Sequence, residues 1–277
     1  IPTRDQGRML GRCLKSLYRV TDYKNFEVVL VDHETAESKA LKVIKEFESN
    51  ENFQIIDFSG PFNFSAMMNS AATVAKGQIL ILLNNDTEII DSGWLNELVS
   101  QVSRPEVGIV GPLLLFGDYT IQHAGIHPDT KGLMRHGHKH LSSESSGYFN
   151  RLKAVHEVAA VTGACLAIKK STWVDLGGMN EDLAVAYNDV DLCLKARDSG
   201  LRVLFTPFAR LLHHESASRG IDESIERNRR LQDEIRIIKH EWGSFLDNDP
   251  AYSPNLSFDG GGFKLNKNPA NNFKTIF

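Results

Sequence analysis

Apolar positions in the first half of the chain follow two rhythms. FEVVLVDH (26–33), FQIIDF (53–58), GQILILLNND (77–86) and GIVGP (108–112) each centre on an unbroken apolar stretch. Such runs read as strands buried on both faces of a sheet. Between them the apolar residues recur every three or four positions, which predicts helices over 9–17, 36–47, 66–75 and 94–102. Strand and helix alternating in this way predict an α/β fold with right-handed crossovers and a mostly parallel sheet flanked by helices.

The second half departs from that rhythm. Residues 118–155 are polar and rich in His, Gly and Ser, and read as a long functional loop. Regular structure is expected again in VTGACLAIKK (161–170), then in a helix over 188–199 closed by Gly200, then in a strand over 201–207. An amphipathic helix is expected over 221–242, with Leu231, Ile235, Ile238 and Trp242 on one face. The tail beyond it carries Pro250, Pro254, three consecutive glycines and many Asn, and reads as irregular. The division is therefore a main domain over 1–220, with halves 1–115 and 116–220, and a C-terminal helical extension over 221–277. There is no internal repeat. The opening IPTRD has the look of a strand's end, so residues upstream of Ile1 are expected.

Composition narrows the class. A chain of 277 residues, 42% hydrophobic and 24% charged, buries a full core without disulfides. Cys13, Cys165 and Cys193 are odd in number, far apart and in no CxxC pattern, which argues against a disulfide scaffold or structural zinc and for a reducing compartment. With 31 basic and 35 acidic residues the net charge is -4, so nothing electrostatic points to nucleic acid. No apolar run reaches the ~18 residues of a membrane span.

In open α/β sheets ligands bind beyond the carboxyl ends of the strands. Three polar clusters sit at such ends: Thr3, Arg4 and Asp5 in IPTRD, Asp32 in VLVDH, and Asn84, Asn85 and Asp86 in LLNNDTE. Each alone is compatible with simple turn chemistry; three converging on one rim suggest a site. GxGxxG and GxxxxGK[ST] are both missing, which argues against a dinucleotide fold and a P-loop. A diphosphate held here would need another clamp, and a divalent cation on carboxylate oxygens is the natural one.

Farther on, YNDVDLCLKARDSG puts Asp189 and Asp191 at the start of a helix, either as caps or as groups presented to a cleft. They lie roughly 200° apart around the helix axis, so they cannot share one task. In RLLHHESASRG, His213 and His214 are adjacent and point different ways, so at most one serves a metal. Ser216, Ser218 and Arg219 are phosphate-binding types, or else a polar loop. His136, His138 and His140 alternate in MRHGHKH, a zinc-compatible spacing or a solvated loop.

Taken in order, IPTRD, VLVDH, LLNNDTEI, VTGACLAIKK, NDVDLCLKARDSG and HHESASRG resemble family 2 of the inverting glycosyltransferases with the GT-A fold, in particular the bacterial branch that builds O-antigens and other surface polysaccharides. The resemblance spans residues 1 to about 220, and the tail phrase NDPAYSPNLS is similar as well. It implies a nucleotide-binding half over 1–115 and an acceptor-binding half over 116–220. It implies that Asp32 contacts the base or ribose and that Pro2, Thr3, Asp5 and Asn85 cradle the nucleotide. NND matches the metal-binding DxD motif, with Asp86 at its last position and Asn84 where the first acid often stands. His213 matches a histidine that completes the site for Mg²⁺ or Mn²⁺. Asp189 matches the catalytic base, with Asn188 in place of the preceding acid. Thr162, Gly163, Ala164 and Asn188 would face donor or acceptor sugar, and Ser218 and Arg219 the phosphates.

The implied partners are a nucleoside diphosphate sugar and a saccharide or lipid-linked saccharide. The implied place is the cytoplasm, with peripheral contact at the inner face of the cell membrane as a further expectation. Competing readings are a nucleotidyltransferase, for which IPTRDQGRML is a poor match, a sugar-nucleotide-binding module without catalysis, and a zinc hydrolase resting on the histidines.

Overall fold

The chain enters on β1 (Pro2–Thr3) and turns at once into α1 (Gly7–Val20). Leu10, Cys13, Leu14 and Leu17 recur at helical spacing and form the buried side of α1. β2 (Val28–Asp32) leads to α2 (Ser38–Phe47), whose Ala40, Val43, Ile44 and Phe47 repeat the pattern. The two helices meet at Gly7, where a Cβ would lie 2.4 Å from the backbone nitrogen of Ala40. β3 (Phe53–Asp57) is followed by α3 (Phe64–Val74), capped by Asn63 Oδ1, which accepts from Ala66 N at 3.0 Å. Then come β4 (Ile79–Leu83), β5 (Thr87–Ile89), α4 (Trp94–Val102) and β6 (Val107–Leu115), the last buried along its whole length. The structure is a computed structural model, and it describes residues 1–129, 134–214, 225–246, 249–253, 255–257 and 262–266.

Residues 118–155, expected as one loop, contain three short strands, β7 (Ile121–His123), β8 (Ile126–Pro128) and β9 (Met134–His136), and a 3-10 segment over Tyr148–Lys153. His123 and His127 are fully buried there, so the segment packs through polar side chains that a hydrophobic pattern does not register. β10 (His156–Glu157), β11 (Cys165–Lys169), α5 (Lys170–Asp175), α6 (Asn188–Asp198) and β12 (Arg202–His213) follow. The expected strand over 201–207 continues to His213 through an irregularity between Thr206 and Arg210. α7 (Ile225–Leu246) is the C-terminal helix, and β13 (Leu256–Ser257) with β14 (Lys264–Leu265) forms a small antiparallel pair in the tail.

β1, β2 and β3 form a parallel sheet. In the larger sheet β12 runs parallel to β6, while β11 inserts antiparallel between β6 and β4. The central strands β4 and β6 are covered on both faces. Leu82 and Ile109 join the core beside α3 and α6; their neighbours Leu83 and Val110 join the core beside α1, α2 and α4. This is the expected α/β architecture with a C-terminal helical extension, and the larger sheet adds antiparallel pairs to the parallel β12–β6 pair. No helix among the described residues is long and apolar enough to cross a membrane.

α7 differs from expectation in one respect. Ile238 is buried and Trp242 packs inward, but Leu231 is 36% exposed, and the enclosed residue one turn before Ile238 is an acid, Glu234.

Candidate active site

Register brings the strand ends together. Thr3 lies opposite Asp32, and Asp32 opposite Asp57. Pro2 and Thr3 are buried, and the Thr3 hydroxyl accepts from Asn85 Nδ2 at 3.0 Å, which ties the 84–86 turn to β1. Asp32 Oδ1 accepts from Thr35 N at 3.1 Å. Asp5 adopts φ 53°, and its Oδ1 accepts from the backbone amides of both Ala36 and Glu37 at 2.7 Å. Those two amides hold its carboxyl below the usual range. Asp5 thereby braces the loop after β2. Asp57 joins the rim in addition to the acids expected there, and its signal is that an acid closes the apolar stretch of FQIIDF as one closes that of VLVDH.

The turn after β4 carries Asp86, which is buried, with Oδ1 3.0 Å from His213 Nε2. His213 arrives on the last residue of β12, paired with Thr87 of β5. Gln122 on β7 orients the ring. Its Nε2 donates to the His213 carbonyl at 3.1 Å, so its Oε1, 2.6 Å from Nδ1, is the acceptor there. In the neutral ring the hydrogen therefore sits on Nδ1, and Nε2 presents its lone pair to Asp86. Two electron-rich atoms this close require a proton or a cation between them. One imidazole nitrogen and one carboxylate oxygen are both donor types that a divalent cation accepts. His214 faces away: its Nε2 is 2.9 Å from Glu88 Oε2 and 3.1 Å from Arg12 Nη1. Among the described residues no group of three or more His, Cys, Asp or Glu is disposed to hold a metal.

The three alternate histidines diverge. His136 meets His123, Nδ1 to Nδ1 at 2.9 Å; His138 Nε2 accepts from Tyr148 N at 3.3 Å; His140 stacks on Phe116. Such divergence gives the zinc reading no geometry to stand on.

Asp189 opens α6. Its Oδ2 accepts from Gly163 N at 2.8 Å and its Oδ1 from Val190 N at 2.8 Å. Burial pushes its carboxyl above the ordinary value, and the amides of Gly163 and Val190 with the Thr162 hydroxyl recover only part of that. Asn188 Oδ1 accepts from Asp189 N at 2.8 Å and its Nδ2 donates to the Leu183 carbonyl at 3.3 Å, so Asn188 braces the turn. The turn of Thr162, Gly163 and Ala164 joins the two halves of the rim. Gly163 N meets Asp189, and the Ala164 carbonyl accepts from Asn84 N at 2.9 Å. Asp191 faces inward instead, pairing with Lys195 Nζ at 2.7 Å and accepting from Trp242 Nε1 at 3.0 Å. Ser216, Ser218 and Arg219 lie outside the described residues.

A sheet of this order, flanked by helices on both faces, is the architecture of the GT-A fold. The match to the family model described as Glycosyl transferase family 2 covers residues 1–169, and the chain belongs to that family. An uncharacterized protein of Sinorhizobium fredii, y4gI, is 41% identical over 267 residues, which are 96% of this chain and 29% of that protein. The O-antigen biosynthesis protein RfbC of Myxococcus xanthus is 34% identical over 270 residues, 97% of this chain and 21% of RfbC. The chain thus spans less than a third of either relative. Among solved structures, GalNAc-T7 with UDP, GalNAc and Mn²⁺ aligns at TM-score 0.67 and 20% identity, over 86% of this chain and 46% of that one. The mannosyltransferase PcManGT of Pyrobaculum calidifontis with GDP-Man and Mn²⁺ aligns at TM-score 0.61 and 17% identity, over 90% and 68%. These two likenesses concern the fold.

Proposed function

We propose that the protein transfers one sugar from a nucleoside diphosphate sugar to a saccharide or lipid-linked saccharide hydroxyl, with inversion at the anomeric carbon, in the assembly of a bacterial surface polysaccharide. The observation that carries this reading is the 162–164 turn, hydrogen-bonded to Asp189 on one side and to Asn84, two residues before Asp86, on the other. A group able to take a proton and a pair able to hold a cation are thereby linked through one short turn. The O-antigen relative supports the polysaccharide context, and the nucleotide sugars and Mn²⁺ named with the two solved neighbours support the donor class and the metal. The inferred place of action is cytoplasmic, at the inner face of the membrane, where a lipid-linked acceptor would be met.

In the mechanism, Asp32 and Asp57 at the strand ends receive the nucleoside, with Thr3 and Asn85 holding the intervening backbone. Asp86 and His213 would hold the divalent cation, whose contribution is to offset charge on the departing diphosphate. Asp189 is the general base. Gly163 and Val190 aim its oxygens, and its raised pKa makes it a better proton acceptor than an exposed Asp. It takes the proton of the acceptor hydroxyl as that oxygen bonds to the anomeric carbon. The bond from that carbon to the diphosphate oxygen breaks on the opposite face, and its electron pair leaves with the nucleoside diphosphate. One displacement inverts the configuration. Thr162, half-buried beside this base, would line the approach to it, while Ala164 and Asn188 brace the turns on either side.

The test is a panel of labelled UDP-, GDP- and dTDP-sugars with Mn²⁺, scored for sugar release to water and transfer to saccharide acceptors. Turnover of one donor class is expected. Nucleotide binding without turnover would make the protein a binding module, and sugar nucleotide formed from sugar phosphate and nucleoside triphosphate would make it a nucleotidyltransferase.

A further inference from the structure

Glu234 sits in the middle of α7, only 2% exposed. A helix that needed nothing but an anchor here would be served by an apolar side chain, as it is by Ile238 one turn later, because an enclosed carboxylate must be compensated. The compensation comes from a loop. One carboxylate oxygen accepts from Val185 N at 2.9 Å and the other from Ala186 N at 3.2 Å. Those residues lead directly into Tyr187, Asn188 and Asp189.

Tyr187 has φ 62°, in the left-handed region that a bulky side chain disfavours. Such a conformation persists only where its surroundings over-determine it. Phe64 N donates to the Ala184 carbonyl at 2.8 Å, and Ser65 Oγ and Asn188 Nδ2 donate to the Leu183 carbonyl at 2.7 and 3.3 Å. These hold the carbonyls at the start of the loop; Glu234 holds the amides nearest the strained residue. Farther along the same helix, about two turns on, Trp242 Nε1 donates to Asp191 Oδ1 at 3.0 Å. One face of α7 therefore grips the backbone before Asp189 and a side chain after it.

We propose that Glu234 is a positioning residue for the transfer reaction: its carboxylate fixes the 185–187 backbone and so sets the direction in which Asp189 faces the acceptor. This rests on the reading of Asp189 as base. Glu234 itself touches no reacting atom.

The test compares Glu234→Gln and Glu234→Ala with the parent chain, using Mn²⁺-dependent hydrolysis of whichever UDP-, GDP- or dTDP-sugar the panel selects, and calorimetric binding of the matching nucleoside diphosphate. A small misplacement of a catalytic group lowers turnover by up to about 100-fold. Glu234→Ala is expected to lower kcat by roughly 10- to 100-fold with nucleotide affinity unchanged, and Glu234→Gln, which keeps one acceptor oxygen, to fall between. In an Asp189→Asn background Glu234→Ala should change the residual rate no further, because the two act through one group. Normal kcat in folded Glu234→Ala with a lowered Tm would overturn the proposal, leaving the acid as a helix anchor. Losses that multiply in the double variant would overturn it too. If Glu234→Ala does not fold, the nearly isosteric Glu234→Gln decides by the same criteria. Full turnover in Asp189→Asn alone would instead remove the base assignment on which the proposal stands, an outcome separate from the others.

Discussion

At the scale of single residues, one buried carboxylate is expected to lend a proton-accepting atom and another a metal ligand, and the two should fail differently. Asp189→Asn keeps the side chain's size and removes its basicity. Turnover should fall about 10²–10⁴-fold, the usual worth of a positioned base, with nucleotide binding nearly unchanged. The pH profile follows from the raised pKa of Asp189. The base works only when ionised, so kcat should fall as pH drops through a value above the ordinary ~3.9, and that limb should vanish from the residual rate of Asp189→Asn. A rate flat from pH 7 to 4 in the parent chain would show that some other group takes the proton. Asp86→Ala should abolish stimulation by Mn²⁺ with little loss of folding stability, and full activity of the parent chain in EDTA would remove the metal from the reaction.

Single residues were legible in the sequence where position alone determines direction. The adjacent pair at 213 and 214 had to diverge, and only His213 faces Asp86. What sequence could not supply was the partner. Asp5, expected at the nucleotide, also braces the neighbouring loop, its Oδ1 engaged with the 36–37 amides. Gln122, which orients the His213 ring, comes from a segment whose apolar pattern showed no strand.

At the scale of elements, helix packing sets what each face can tolerate. Asp191, on the buried side of α6, holds both Lys195 and Trp242. Asp191→Asn keeps an oxygen for the indole but turns an amide toward Lys195. It should lower stability by about 1–3 kcal/mol, seen in urea unfolding, with a far smaller loss of turnover than Asp189→Asn. Were Asp191→Asn inactive and Asp189→Asn active, the base would be the wrong carboxylate. At the contact of α1 with α2, Gly7→Ala would force the helices apart, because the new Cβ falls on backbone rather than on a movable side chain. Overpacking of that kind costs about 1–3 kcal/mol, and an unchanged urea midpoint would mean that α2 shifts freely. The helices of the first half were legible because a 3.6-residue apolar period survives in each of them. α7 was legible as a helix but not in its facing, since its inward position 234 is an acid that only tertiary hydrogen bonds explain.

At the scale of the whole molecule, five buried or half-buried histidines, His123, His127, His136, His138 and His156, weigh on how the fold responds to acid. Burial pushes His136, His138 and His156 down to about 4, His123 well below its ordinary value, and His127 down as well in spite of the neighbouring Asp249. Hydrogen bonds act in the same direction. His123 Nε2 accepts from Gly125 N at 3.4 Å, so its Nδ1 carries the hydrogen shared with His136 Nδ1. A proton added to either ring destroys an acceptor already in use. Unfolded, all five rings titrate near 6.5. Between that value and about 4 the unfolded chain therefore binds protons that the folded chain refuses, and stability must fall as pH falls, by up to about 1.4 kcal/mol per pH unit for each proton of difference. Asp189 and Glu234, with carboxyl values raised by burial, act in the opposite sense, but only near and above the ordinary carboxyl range of ~4. From pH 6.5 to 5 the histidines dominate. The urea midpoint should drop steadily across that interval, and His136→Asn, which cannot take up a proton, should flatten the slope. A midpoint constant from pH 6.5 to 5 would mean that these rings are protonated in the folded state, and that the packing of β7, β8 and β9 accommodates charge that their hydrogen bonds forbid.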